Sequence, residues 1–177
     1  YLQSRKAKDS FHKSLFTDCS NKINSVSNIH EIIYNSRSIS EVSTAEYFNK
    51  LIAGLRDFYA SQNSNIKIEA KIENVLLELD VALPIALIVN EVIINSYKHA
   101  FVGATEGQIL LSFAVIDNKA FLLVKDNGIG IQQKNDGELS MGIEIIKGLV
   151  EQIDGTYSYH SESGTTFELS FDLKTSN

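Results

Sequence analysis

At 177 residues, 44% hydrophobic and 21% charged, the chain has the composition of a soluble globular protein, either one sizeable domain or a smaller one with a helical attachment. A formal charge of -6 with no basic stripe to offset it argues against a nucleic-acid footprint, and the single cysteine, Cys19, excludes an internal disulfide. No signal peptide and no apolar run of bilayer-spanning length is read, so a reducing cytoplasmic setting without membrane contact is the expectation.

From Asp9 or Ser10 onward, Phe11, Leu15, Cys19, Ile23, Val26, Ile29 and Ile33 recur at steps of three and four. That is the pattern of a helix with one buried seam, and such a seam calls for a partner. A Ser/Asn-rich break follows over residues 35–43. Ser43 and Glu46 form a plausible capping box for a helix whose face is Tyr47, Phe48, Leu51, Ile52, Leu55 and Phe58. After a second polar break at residues 61–65, Ile66, Ile68 and Ala70 alternate with polar residues, and residues 75–79 form another strand-like run. Asp80 and Pro84 suit the opening turn of the next helix. Residues 108–116 and 120–125, joined by Asp117-Asn118, predict a hairpin. A helix over residues 141–153 is expected to end at Gly155, and residues 157–160 and 166–171 to close the chain as a hairpin around Ser163-Gly164.

The stretch LIVNEVIINSYKHAF, residues 87–101, reads as an amphipathic helix with Ala86, Val89, Ile93, Tyr97 and Ala100 on its core side. Glu91, Asn95, Lys98 and His99 stand at i, i+4, i+7 and i+8 and share the other face. Such a row has two readings: a solvated helix face, or a site for a metal-bound phosphate in which Asn95 and Glu91 offer oxygen to Mg²⁺ and Lys98 offers charge to phosphate.

Downstream, Asp126-Asn127-Gly128-Ile129-Gly130-Ile131 follows the apolar run at residues 120–124. A dinucleotide fingerprint fails because Gln133 stands where a third glycine belongs, and no P-loop pattern occurs. What remains is a loop over residues 131–141, bounded by Gly128 and Gly130 before it and Gly137 and Gly142 after it, whose backbone can approach and cover a ligand. Asp126 can accept a hydrogen bond from an exocyclic amine. Asp-Asn-Gly is equally a turn signal, and both readings stand.

The order NEVIINSYKHAF, DNGIGI, SMGIEIIKGLVEQIDG and SGTTFELSF, covering about residues 66–173, resembles the N, G1, G2 and final glycine-threonine boxes of the Bergerat ATP-binding fold. That fold is shared by gyrase, heat-shock chaperone ATPases, MutL and sensor histidine kinases. The resemblance implies an α+β chain: an α/β sandwich with a mixed, mainly antiparallel sheet on helices, preceded by a helical hairpin that pairs into a dimeric bundle. It implies ATP and Mg²⁺ as cofactors, with Asn95 and Glu91 at the metal, and Glu91, Lys98 and His99 at the reacting phosphates. Asp126 would take the adenine amino group, with Thr165 supporting it through water. Gly128, Gly130 and Gly142 would shape the pocket, and Ile131, Ser140, Met141 and Thr166 would complete it.

LQSRKAKD, NKINSVSNIHEIIYNS and STAEYFNKLIAGL are similar to the dimerisation region of a short-lid branch of bacterial histidine kinases akin to the HWE group, although the chain has no tryptophan. The division expected is a partial dimerisation and phosphotransfer region at 1–42 and a catalytic domain at 43–177 with a leading helix at 43–60. His30 matches the histidine of that region's second-helix IHE segment, where a packing or hydrogen-bonding role is expected. The phosphoacceptor histidine is expected about four helical turns ahead of LQSR, before Tyr1. The resemblance implies a homodimer, a response-regulator receiver domain as partner, and an upstream sensor domain, the whole cytoplasmic or the cytoplasmic part of a membrane-bound sensor. The alternatives are an anti-sigma-factor-type serine kinase and a nucleotide-inactive dimerising scaffold.

Overall fold

A computed structural model of the protein describes Ser27 and residues 41–60, 65–104, 106–130 and 141–173. The expected helices, seam and His30 in the first forty residues lie outside the described residues, as do Ile131, Gly137 and Ser140.

Five strands form the main sheet: β2 (Asn65–Ile72), β4 (Glu106–Ile116), β5 (Lys119–Asp126), β6 (Thr156–His160) and β7 (Thr166–Asp172), in the spatial order β2-β4-β5-β7-β6. β2 runs parallel to β4 and every other pair is antiparallel. Alternation decides which face is inside: Ile109, Leu111 and Phe113, then Ala120, Leu122 and Val124, then Phe167, Leu169 and Phe171 are all buried. Helices α1 (Thr44–Ala60), α2 (Leu79–Asn95) and α3 (Met141–Gln152) complete the core, α1 contributing Tyr47, Phe48, Leu51, Ile52 and Leu55. The side chain of Phe58 lies outside the description.

A short strand, β1 (Glu41–Ser43), pairs antiparallel with β3 (Leu76–Glu78), where the sequence suggests only a polar break. Thr44 fixes the junction: its hydroxyl donates to the carbonyl of Glu73 at 2.7 Å and accepts from the amide of Val75 at 2.9 Å. One arm of the expected capping box forms, with the Glu46 amide donating to Ser43 Oγ at 3.2 Å. The Glu46 carboxylate instead pairs with Lys50, one helical turn on, at 3.5 Å.

The β4–β5 turn is a two-residue loop with positive φ at both positions, 49° at Asp117 and 62° at Asn118, as a type I′ hairpin requires. At the end of α3 the left-handed residue is Asp154 (φ 51°), one position ahead of the glycine expected there. Gly155 serves a different need: its amide donates to the Val150 carbonyl at 3.0 Å, and a Cβ on it would stand 3.1 Å from Leu169 Cδ1.

α2 begins at Leu79, so Pro84 lies inside the helix rather than in its first turn. Its missing N–H removes the bond to the Asp80 carbonyl. After Asn95 the helix passes into a π-helical turn, Ser96–Ala100. The segment Leu79–Ala100 is long and apolar enough to match a bilayer span by length and composition, which corrects the expectation drawn from the sequence. Yet 72% of that window is buried within the fold, where it serves as the central core helix. Nor is its polar side simply solvated, because Glu91 is buried, and Asn90, on the core side beside Ala86 and Ile93, is buried with them.

Candidate functional site

Asp126 ends β5 and is 2% exposed. A buried carboxylate requires donors, and this one has three. Its Oδ1 accepts from the amides of Gly128 and Thr165, each at 3.0 Å, and its Oδ2 accepts from the hydroxyl of Ser96 at 2.9 Å. The Asp126 amide in turn donates to the Thr165 carbonyl at 2.9 Å. Thr165 therefore meets Asp126 through its backbone, leaving its side chain out of this network.

The glycines permit close passage of backbone past backbone. A Cβ on Gly128 would stand 2.2 Å from the Ala100 carbonyl oxygen, and the next amide, Ile129, donates to that oxygen at 2.9 Å. A Cβ on Gly164 (φ 98°) would stand 2.0 Å from the Asp126 carbonyl oxygen. Gly130 (φ 77°) turns against Ser161. These contacts lock the loop after β5 between the π-helical turn and the β6–β7 hairpin, with Asp126 at its start. Thr166 opens β7 opposite Lys125 and His160.

A second group lies at the start of α3. Glu91 Oε2 stands 3.3 Å, and Asn95 Nδ2 3.6 Å, from the position a Cβ would take on Gly142. The carboxylate and the amide thus converge on one spot, beside the helix end that favours negative charge. Glu91 is 7% exposed, and Asn95 is half-buried. Burial pushes the Tyr159 hydroxyl above its usual range, and the nearby Tyr157 and the Glu91 carboxylate push it further.

Lys98 and His99 sit on the π-helical turn, half-buried and exposed respectively. The wider i→i+5 winding turns each residue through a smaller angle than an α-helix does. Extrapolating 3.6 residues per turn from Glu91 to His99 therefore does not give their placement. Met141 opens α3.

The network contains two residues that the sequence analysis did not single out as site residues, Ser96 and Gly164. A serine within SYKHA carries no local signal of burial, since the π-helical turn and the contact with β5 create it. The positive φ of Gly164 was legible in the Ser-Gly turn, but its approach to Asp126 spans 38 positions of sequence and was not.

Among known proteins, residues 80–175 match the family of histidine kinase-, DNA gyrase B- and HSP90-like ATPases, and residues 1–59 match a histidine kinase family. The sensor histidine kinase ComP of Bacillus subtilis is 27% identical over 130 residues, 70% of this chain and 16% of that protein. The sensor histidine kinase PdtaS of Mycobacterium tuberculosis is 24% identical over 163 residues, 88% of this chain and 31% of that protein. The chain thus spans a third or less of the length of these relatives. Among solved structures, the histidine kinase domain of the blue-light activated histidine kinase of Erythrobacter litoralis EL346 aligns with a TM-score of 0.77 at 20% identity, covering 87% of this chain and 74% of that one. That likeness shows the fold, a mixed sheet packed on helices.

Proposed function

The chain belongs to the family of histidine kinase-, DNA gyrase B- and HSP90-like ATPases, and on that premise we propose that it is the catalytic core of a sensor histidine kinase, binding Mg-ATP and donating the γ-phosphoryl to a histidine of the dimerisation region. The observation that carries this reading is Asp126, a carboxylate at the end of β5 fixed by three donors, with acceptor capacity left on Oδ2. An adenine amino group fits that capacity.

The residues present also fit a magnesium-bound triphosphate. Among the described residues no cluster of three His, Cys, Asp or Glu side chains stands ready to hold a metal alone. Magnesium suits such a site, since it keeps waters and phosphate oxygens and takes only one or two protein oxygens. Asn95 and Glu91 would supply those oxygens, and the bound ion would neutralise charge on the phosphates. Lys98 and His99 add positive or hydrogen-bonding groups toward the phosphates. The work of these residues is positioning and charge stabilisation, which is most of what phosphoryl transfer asks of a protein. Ile131, Ser140, Met141, Gly142 and Thr166 complete the pocket in this reading.

The match of residues 1–59 to a histidine kinase family favours this reading over an anti-sigma-factor-type serine kinase. It also supports pairing of two chains through the seam at residues 15–33, a receiver domain as phosphoryl acceptor, and a cytoplasmic position for the catalytic part.

Calorimetric titration with a non-hydrolysable ATP analogue, with and without Mg²⁺, tests the proposal. Saturable binding is expected that Asp126→Ala abolishes and that Mg²⁺ strengthens only while Asn95 is present. Binding equal in wild type and Asp126→Ala would overturn it.

A further inference from the structure

Ser96 has no role of its own toward the nucleotide in the reading above, where it only helps to fix Asp126; it is 6% exposed and its hydroxyl meets the Asp126 carboxylate. The Val92 carbonyl lies 3.3 Å from the same hydroxyl, but a charged acceptor at 2.9 Å is the stronger partner. A carboxylate offers about four lone-pair positions. The two on Oδ1 are filled by the Gly128 and Thr165 amides, and Ser96 fills one of the two on Oδ2. One acceptor position is left.

We infer that Ser96 sets the base selectivity of the pocket by restricting Asp126 to a single open acceptor position, an inference that rests on the nucleotide-binding reading. An adenine edge presents one amino donor beside a ring nitrogen that itself accepts, and one open position serves it. A guanine edge presents two adjacent donors, the ring N–H and the 2-amino group, and leaves one of them unpaired in a desolvated site. An unpaired buried donor is what separates closely similar ligands. Ser96 is therefore a positioning residue: it acts on the base through Asp126.

The test is competitive titration of the chain with non-hydrolysable ATP and GTP analogues, using wild type, Ser96→Ala and Ser96→Thr. Wild type is expected to prefer the adenine nucleotide. Ser96→Ala should narrow that preference about tenfold, because Oδ2 then has two open positions, while Ser96→Thr should keep it. A loss of fold would weaken both nucleotides together and leave the ratio unchanged. An unchanged ratio in a cooperatively melting Ser96→Ala protein overturns the inference.

A wild-type measurement stands independently of any folding defect. With one open acceptor position the 2-amino group is a donor left unpaired, so a guanine nucleotide should bind about tenfold more weakly than its hypoxanthine counterpart. A guanine nucleotide bound as tightly as its hypoxanthine counterpart, or more tightly, overturns the inference by itself. Wild type that binds no adenine nucleotide overturns the nucleotide-binding reading, and this inference with it.

Discussion

Asp126 serves the fold as well as the proposed ligand, because its buried carboxylate accepts from two backbone amides and a buried hydroxyl. Asp126→Ala should therefore lower stability by about 2–3 kcal/mol, measured by urea denaturation, in addition to removing nucleotide binding. Tyr47 is the opposite case. Its hydroxyl is buried without a hydrogen-bond partner among the described residues, so Tyr47→Phe should raise stability by about 1 kcal/mol in the same assay. Burial also holds the Tyr47 and Tyr159 phenols above their ordinary value of 10.0. Below about pH 10 these tyrosines are protonated in both the folded and unfolded chain, and their contribution is intact. Above it the unfolded chain releases protons that the folded chain retains, so stability falls as pH rises. Denaturation midpoints between about pH 8 and 11 should show that fall, with a shallower slope in Tyr47→Phe. At this scale the sequence discloses what local chemistry marks, such as Asp126 before a glycine turn. It hides Ser96, whose burial depends on a contact 30 positions away.

Elements were legible where a turn or a period of two carried them. Asp117-Asn118 announces the β4–β5 hairpin because few residue pairs tolerate positive φ twice in succession. β1 was hidden because three residues in a polar break have no period to read, and pairing with β3 alone makes them a strand. The end of α3 shows how a rule can be right in type and wrong by one position. Asp154 holds the left-handed turn, so Asp154→Gly should raise stability by about 0.5–1 kcal/mol, read as a shift in Tm. Gly164→Ala should do the reverse by about 3 kcal/mol, since its Cβ would enter the Asp126 carbonyl while φ stays at 98°. The π-helical turn had no sequence signal, because periodicity assumes the winding it is used to detect.

For the molecule as a whole, the buried helix α2 links the two halves of the account. One of its sides packs the core, and its end carries Glu91 and Asn95 toward α3 while Ser96 reaches Asp126. The sheet and its helices were legible from the order of four motifs, and so was the core side of α2, where Ala86, Val89 and Ile93 are buried; the burial of Glu91 was not, because a row with Asn95, Lys98 and His99 reads equally well as a solvated face. Pairing of chains through residues 15–33 belongs to this scale too, and sedimentation at high concentration should give a dimer; a strictly monomeric mass would contradict that pairing. The central claim is that a nucleotide seats its base on Asp126 and its phosphates beside Glu91 and Asn95. Backbone amide NMR of the chain during titration with a non-hydrolysable Mg-ATP analogue tests it most directly. Saturable shifts centred on Gly128, Thr165 and Gly142 are expected, whereas no shifts, or shifts confined to the outer face of the sheet, would be incompatible with that seating.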